Sequence, residues 1–279
     1  MKVAKTIAAV RAFVRRAARP VVLVPTMGAL HHGHAALIRR ARKLAGSDGC
    51  VVVSIFVNPT QFGPSEDFSK YPRTLASDQA LCREAGADLI FQPDVSAMYA
   101  SDASVFIDES RLSDGLCGAS RPGHFRGVCT VVAKLFLIVQ PEIAVFGQKD
   151  WQQLAIIRRM VRDLDFPVKI VGHPTVRETD GLATSSRNRY LTPDERLAAP
   201  GIYKALRAAA AAKTPAAVLR SATRALAAIP GARIDYIQLV DSETLAPARN
   251  LKRSTTLATA VFLGRARLID NIQIPPLIS

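Results

Sequence analysis

No acidic residue precedes Asp48, aromatic residues make up only 6% of the chain, and the four cysteines (Cys50, Cys82, Cys117, Cys129) form no CxxC pair. Scattered cysteines argue against a zinc ribbon or a disulfide framework and fit a reducing cytoplasm. Cys117 and Cys129 flank His124, which at this spacing is weak metal evidence. The net charge of +14 suggests an affinity for polyanions. A nucleic-acid surface, however, wants aromatic rings interleaved with its cations, and no such stripe is present, so no nucleic-acid partner is expected. Lys134 and several prolines break the longest apolar runs, so no membrane span is expected either. The acid-free start resembles a transit peptide in composition. Yet Ile7, Val10, Phe13, Val14 and Ala17 share one helical face, and Pro20 leads straight into an apolar run. That segment reads as the first helix of the fold.

What is present is enough apolar material for a sizeable core: 49% hydrophobic residues over 279 positions. Short β-branched runs alternate with helical stretches. The runs Val21–Val24, Cys50–Val57, Asp88–Phe91, Ile143–Phe146 and Val168–Val171 predict strands. Ala35–Leu44, Leu75–Glu84, His124–Val139 and Trp151–Leu164 predict helices between them. This alternation implies an α/β fold, a Rossmann-like parallel sheet with flanking helices. The character changes near residue 175. Helices are expected over Pro193–Ala209 and Pro215–Ile229, a strand over Ile234–Val240, and a hairpin from Ala258–Leu263 to Ala266–Asp270 turning at Gly264-Arg265. The expectation is therefore a first domain over 1–175 and a smaller C-terminal α+β domain over 176–279.

In open parallel sheets, ligands bind beyond the carboxyl ends of the strands. Four segments lie there. After Val24 comes Pro25-Thr-Met-Gly-Ala-Leu-His-His-Gly-His34, then a helical run. Strand, glycine turn, histidines and helix start are the order in which phosphate sites are built. Gly28 and Gly33 permit close backbone approach, and His31 and His34 can donate to phosphate oxygens. His31, His32 and His34 could also form a metal cluster, but nothing else in the sequence supplies its further ligands. After Val57, Asn58 and Gln61 offer amides that suit a substrate with hydroxyls and a carboxylate; an Asn-Pro turn would explain Asn58 equally well. After Phe146, Lys149 can neutralise phosphate at a helix start. Asp150 could accept from ribose or cap the helix, and Gln153 lies one turn on from Lys149. Last, Thr184-Ser-Ser-Arg187 puts two serine hydroxyls and a guanidinium in a polar loop, suited to a triphosphate.

The order His31-x-Gly33-His34 resembles the signature of the HxGH nucleotidyltransferase superfamily. With Pro25–His31, Phe56–Phe62, Tyr71–Thr74, Pro122–Gly127, Phe146–Asp150 and Arg177–Ala183, nearly the whole chain resembles the pantoate–β-alanine ligase (pantothenate synthetase) family within it. The resemblance implies an ATP-dependent condensation of pantoate with β-alanine through pantoyl adenylate, releasing AMP and pyrophosphate. It implies that Met27, Gly28, Ala29, Leu30, His31, His32, Gly33 and His34 line the ATP site. His31 and His34 would contact the phosphates, with His34 as a proton donor. Gly147, Gln148, Lys149 and Asp150 would also bind ATP, Lys149 through phosphates and Asp150 through ribose. Val176 would hydrogen-bond adenine, and Thr184, Ser185, Ser186 and Arg187 would cover the phosphates from the second domain. Gln61 and Gln153 would hold pantoate, Gln61 also lying near β-alanine, with Asn58, Tyr71 and Arg121 as further pocket residues. Mg2+ would ride on ATP, with Asp78 as a nearby carboxylate. The family also implies a homodimer through the first domain and a cytoplasmic enzyme.

Two positions depart from the family pattern: Gln148 where Glu is usual and Thr184 where Met is usual. The second is expected to alter ATP affinity without changing the reaction. Two other readings compete. A nucleotidyltransferase acting on a phosphorylated precursor should want basic residues where this chain has Gln61 and Gln153. A basic nucleic-acid module would bind polyanions with a steep salt dependence and release no pyrophosphate.

Overall fold

The computed structural model describes residues 1–63, 68–69 and 71–277. In chain order its elements are β1 (Lys2–Ala4), α1 (Ile7–Val14), β2 (Val21–Thr26), α2 (His32–Ala45), β3 (Cys50–Ile55), α3 (Leu75–Glu84), β4 (Leu89–Phe91), α4 (Val95–Met98), α5 (Leu116–Ser120), α6 (His124–Val139), β5 (Ile143–Gly147), α7 (Trp151–Asp163), β6 (Lys169–His173), α8 (Pro193–Ala198), α9 (Gly201–Ala209), α10 (Pro215–Ala227), β7 (Ala232–Asp241), β8 (Thr255–Leu263) and β9 (Ala266–Ile274). Single 3-10 turns lie at Pro59–Gln61, Gln148–Asp150 and Ser186–Tyr190. The chain divides into two compact units. The first comprises 1–110, 121–148 and 156–174, and the second 111–120, 149–155 and 175–279. Two short segments of the first 175 residues therefore pack with the second unit.

In the first unit, six strands form one parallel sheet in the order β1-β4-β3-β2-β5-β6. Counted from β2, the order is 3-2-1-4-5, the doubly wound arrangement, with its reversal between β2 and β5. Side chains alternate across the sheet. Val22, Val24, Val51, Val53, Ile90 and Val145 face one side, where Ile38 and Ala41 of α2 and Cys82 of α3 pack on them. Their neighbours Val21, Leu23, Val52, Phe91 and Ala144 are equally buried on the other side. α6 packs against β2 there, with α1 alongside it. A sheet covered on both faces explains why its strands read as unbroken apolar runs rather than alternating ones.

In the second unit, β7, β8 and β9 form an antiparallel sheet. Ile202 of α9 and Leu226 of α10 pack on Val261, Leu263 and Leu268. Arg177 anchors the preceding loop to β9: it donates to both carboxylate oxygens of Asp270 (2.7 and 2.9 Å) and lies 3.4 Å over the Tyr203 ring. The hairpin turns at Gly264, in the left-handed region with φ 52°, as the Gly-Arg dipeptide suggests.

Three details differ from the sequence reading. β1 pairs in parallel with β4 (Val3 opposite Ile90), although three residues with one buried side chain carry no periodicity to announce a strand. The helix expected over Pro193–Ala209 is two, because Pro200 cannot donate to the preceding turn. Short helices α4 and α5 were absent from the expected pattern. No helix among the described residues is long and apolar enough to cross a membrane.

Candidate active site

The first unit supplies the carboxyl ends of β2, β3 and β5. β2 closes on Thr26, whose hydroxyl donates to Ser54 O (2.7 Å) and accepts from Gly28 N (3.3 Å). Gly28 (φ 88°) and Ala29 (φ 51°) then take left-handed conformations in succession and reverse the chain into α2. Gly28 is required there twice over. Its φ favours glycine, and a Cβ would lie 3.1 Å from both Asp78 Oδ2 and Ile55 Cγ2. His31 is the N-cap of α2. Its backbone N–H donates to His34 Nδ1 (3.3 Å), and the two rings lie in tilted contact, centroids 4.1 Å apart and planes inclined by 41°. A neutral His34 accepting at Nδ1 carries its proton on Nε2, which is then its donor. The 14 residues of α2 place partial positive charge at this end.

Asp78 lies beneath this turn, 1% exposed, on the first turn of α3. Its carboxylate accepts from Ala29 N (3.0 Å), Leu30 N (2.8 Å) and Thr74 Oγ1 (3.0 Å). The carboxylate that the family resemblance put near the metal is thus committed to backbone amides of the loop. Among the described residues no three His, Cys, Asp or Glu side chains gather into a metal site, the His31–His34 trio included.

Beyond β3, Asn58 is fully buried. Its Nδ2 donates to Gln61 Oε1 (2.9 Å) and Gly127 O (3.1 Å), and its Oδ1 accepts from Thr60 Oγ1 (3.0 Å) and Tyr99 Oη (2.8 Å). These bonds tie Asn58 into the turn that the Asn-Pro step suggested. Gln61 sits in the 3-10 turn it braces. The carbonyl of Gln61 accepts from His124 Nδ1 (2.9 Å), and Arg121 lies 2.9 Å from the other ring nitrogen. A His124 that donates at Nδ1 accepts from Arg121 at Nε2 when neutral. His124 therefore clasps the Gln61 turn, a contribution that the Pro-Gly-His sequence contained but that the residue types alone did not reveal. The Tyr71 ring meets Phe62 edge-on at 5.9 Å.

β5 ends at Gly147, whose Cβ position is open space, and Gln148 follows. From Lys149 the chain packs with the second unit. Asn271 Nδ2 donates to Lys149 O (2.8 Å), and Trp151 Nε1 donates to Ser242 O (3.1 Å). Gln152 is buried, donating to Leu112 O and Gly115 O (2.8 Å each) and accepting from Cys117 N (2.9 Å). These bonds fix the backbone that carries the Lys149, Asp150 and Gln153 side chains. In the same unit Val176 O accepts from Thr184 N (2.9 Å), and the buried Thr184 hydroxyl donates to Glu178 (3.3 Å). A methionine could not make that bond, so the departure at 184 comes with a local polar partner. Ser185 Oγ accepts from Arg187 N (3.2 Å), capping the 3-10 turn Ser186–Tyr190, and Arg187 donates to Arg267 O (3.2 Å).

Three of the four cysteines are held as thiols. Burial pushes the Cys50 thiol up to about 11 and those of Cys82 and Cys129 up to about 12, so none is a thiolate at neutral pH. Cys117 is only half-buried. Iodoacetamide at about pH 8 is expected to label the native protein at Cys117 alone and all four positions after denaturation. Native labelling at Cys82, read by mass spectrometry, would contradict this.

The model of the family described as pantoate-beta-alanine ligase matches residues 2–273. The chain belongs to the pantoate-beta-alanine ligase family. It is an enzyme of this type, joining pantoate to β-alanine. The pantothenate synthetase of Akkermansia muciniphila is 54% identical over 258 residues, covering 91% of this chain and 92% of that one. That of Moorella thermoacetica is 50% identical over 280 residues, covering 98% of each. Among solved structures, the pantothenate synthetase of Thermus thermophilus superposes with a TM-score of 0.92 at 48% identity, over 99% of this chain and 100% of that one. A pantoate-beta-alanine ligase from Francisella tularensis, in complex with beta-gamma ATP and beta-alanine, gives a TM-score of 0.80 at 33% identity, over 98% and 97%.

Proposed function

We propose that this pantoate–β-alanine ligase works in two ATP-dependent half-reactions. A carboxylate oxygen of pantoate attacks the α-phosphorus of ATP, forming pantoyl adenylate as the α–β phosphoanhydride bond breaks and pyrophosphate leaves. The amine of β-alanine then attacks the acyl carbon; AMP leaves with the bonding pair, and the ammonium proton passes to solvent. A carboxylate is a poor acyl donor, and AMP makes it a good one, so the protein's task is orientation and charge neutralisation. The observation that carries this reading is the left-handed Gly28–Ala29 turn, which delivers His31 and His34 to the start of α2 at the carboxyl end of β2.

Met27 to His34 form the phosphate-facing segment, with His34 Nε2–H the donor to an oxygen that gains charge. Gly147, without a side chain, and Gln148 continue that surface; Lys149 neutralises phosphate and Asp150 accepts from ribose. Gln61 and Gln153 hold pantoate, with Tyr71 and Arg121 beside them, Arg121 already braced by His124. Val176 offers its backbone hydrogen-bonding groups to adenine, its carbonyl also accepting from Thr184 N. Ser185, Ser186 and Arg187 meet the departing pyrophosphate. Magnesium enters as part of the substrate, MgATP. The reading extends to a lid role for the domain over 176–279, to a homodimer through the first domain, and to the cytoplasm, which four free cysteines support.

The test is release of AMP and pyrophosphate from purified protein with MgATP, adding pantoate and β-alanine singly and together. Pyrophosphate is expected with pantoate alone, limited to about one turnover, and sustained AMP and pantothenate with both. A folded protein that binds ATP and releases nothing with any combination would overturn the reading.

A further inference from the structure

We propose that Asp78 is a positioning residue for nucleotide binding: it holds the left-handed Gly28–Ala29 turn in the shape that presents His31, His34 and the first amides of α2 to the phosphates. The inference rests on the adenylating function above and adds a residue that acts through the loop without touching substrate. Two consecutive N–H groups, Ala29 and Leu30, land on the two different oxygens of one carboxylate at 3.0 and 2.8 Å. Thr74 adds a third bond at 3.0 Å and fixes the carboxylate plane. Only a carboxylate offers acceptors on both atoms; an amide offers one acceptor and an NH2 that would face an N–H. Ala29 has φ 51°, a conformation an L-residue leaves unless something holds it. The Asp78 side chain is 1% exposed, and a Cβ on Gly28 would lie a tight 3.1 Å from Asp78 Oδ2, so the turn is seated on the carboxylate. His31 follows Leu30 immediately and is the cap of α2, so the angle at which the turn leaves Asp78 sets the direction of the helix start.

The experiment uses Asp78→Asn in the full chain, with circular dichroism to confirm folding. Affinity for a non-hydrolysable ATP analogue is measured by calorimetry, with magnesium and again in EDTA. The two half-reactions are then followed separately: pantoate-dependent pyrophosphate release, and aminolysis of preformed pantoyl adenylate at saturation. Losing an acceptor while gaining a misdirected donor weakens analogue binding by about tenfold or more, with or without magnesium. Adenylation slows accordingly, and the aminolysis rate stays within about twofold of the parent. Thr74→Val, which keeps the carboxylate but frees its plane, gives the same split at about two- to fivefold; it carries the test if Asp78→Asn does not fold. Parental affinity and adenylation in folded variants would overturn the proposal. So would a binding defect confined to the magnesium arm, which is the signature of a metal ligand, or equal slowing of both half-reactions, which is the signature of a general loss of structure. A parent chain that releases no pyrophosphate with pantoate would instead overturn the function on which the proposal rests.

Discussion

Lys149→Ala and His34→Ala each lose turnover by about two to three orders of magnitude and stay folded. The size follows from what each group is asked to do. Removing one preorganised donor from developing charge costs about 10²–10³-fold in turnover, or about 3–4 kcal/mol. In the proposed reaction Lys149 puts a full charge where pyrophosphate departs, and His34 a single N–H. Folding survives for structural reasons. The Lys149 backbone is held by Asn271 Nδ2 through its carbonyl, independently of the side chain. His34 gives up one hydrogen bond from His31 N, at 3.3 Å, on a helix whose core face is built from Ala35, Ile38 and Ala41. The loss should fall on pantoate-dependent pyrophosphate release, with pantoate affinity changed far less, because Gln61 and Gln153 are untouched. Wild-type pyrophosphate release in both variants would sink the assignment of this site.

Those two residues were legible in the sequence because each follows a strand that announces itself. Val21–Val24 and Ile143–Phe146 are apolar β-branched runs, and a ligand site beyond a strand's carboxyl end needs only the run and the polar turn after it. The strand β1 was not legible: its register against β4 depends on a partner some 90 residues away, and Lys2–Ala4 carries no pattern of its own. The alanine-rich run around Pro200 carries a continuous helical pattern that hides the break, so one helix is expected where two form. Within the site the limits are equally physical. Asn58 and Gln61 have the same amide, yet one is sealed in four hydrogen bonds and the other braces a turn. Both are buried, so the hydrogen-bond partners that the fold brings to each decide between them, and residue type does not encode those partners. Asp78 was noticed as a carboxylate, but its partners are backbone amides at Ala29 and Leu30, which every sequence possesses. His124 acts through a backbone carbonyl for the same reason.

Gly127→Ala should be the most disruptive single-carbon change in the first unit. α6 crosses the Pro59–Gln61 turn at this residue, and a Cβ there would lie 2.2 Å from Thr60 O, 2.5 Å from Thr60 C and 2.8 Å from Gln61 N. These are backbone atoms, so no rotamer change relieves the clash; the helix and the turn must separate. Separation breaks Asn58 Nδ2 from Gly127 O and strains the His124 clasp on Gln61 O. Overpacking of this kind costs about 3 kcal/mol, or more where backbone must move. In a chain of this length that corresponds to a fall of about 6–12 °C in the melting temperature. Because the displaced turn carries Gln61, surviving protein should show a raised KM for pantoate with ATP affinity nearly unchanged. Gly63→Ala is the matched control, since its Cβ would meet nothing within 4 Å, and it should shift stability by less than about 0.5 kcal/mol. A Gly127→Ala protein that melts with the parent would show that α6 and the turn can part at no cost, and the account of how Gln61 is held would have to be abandoned.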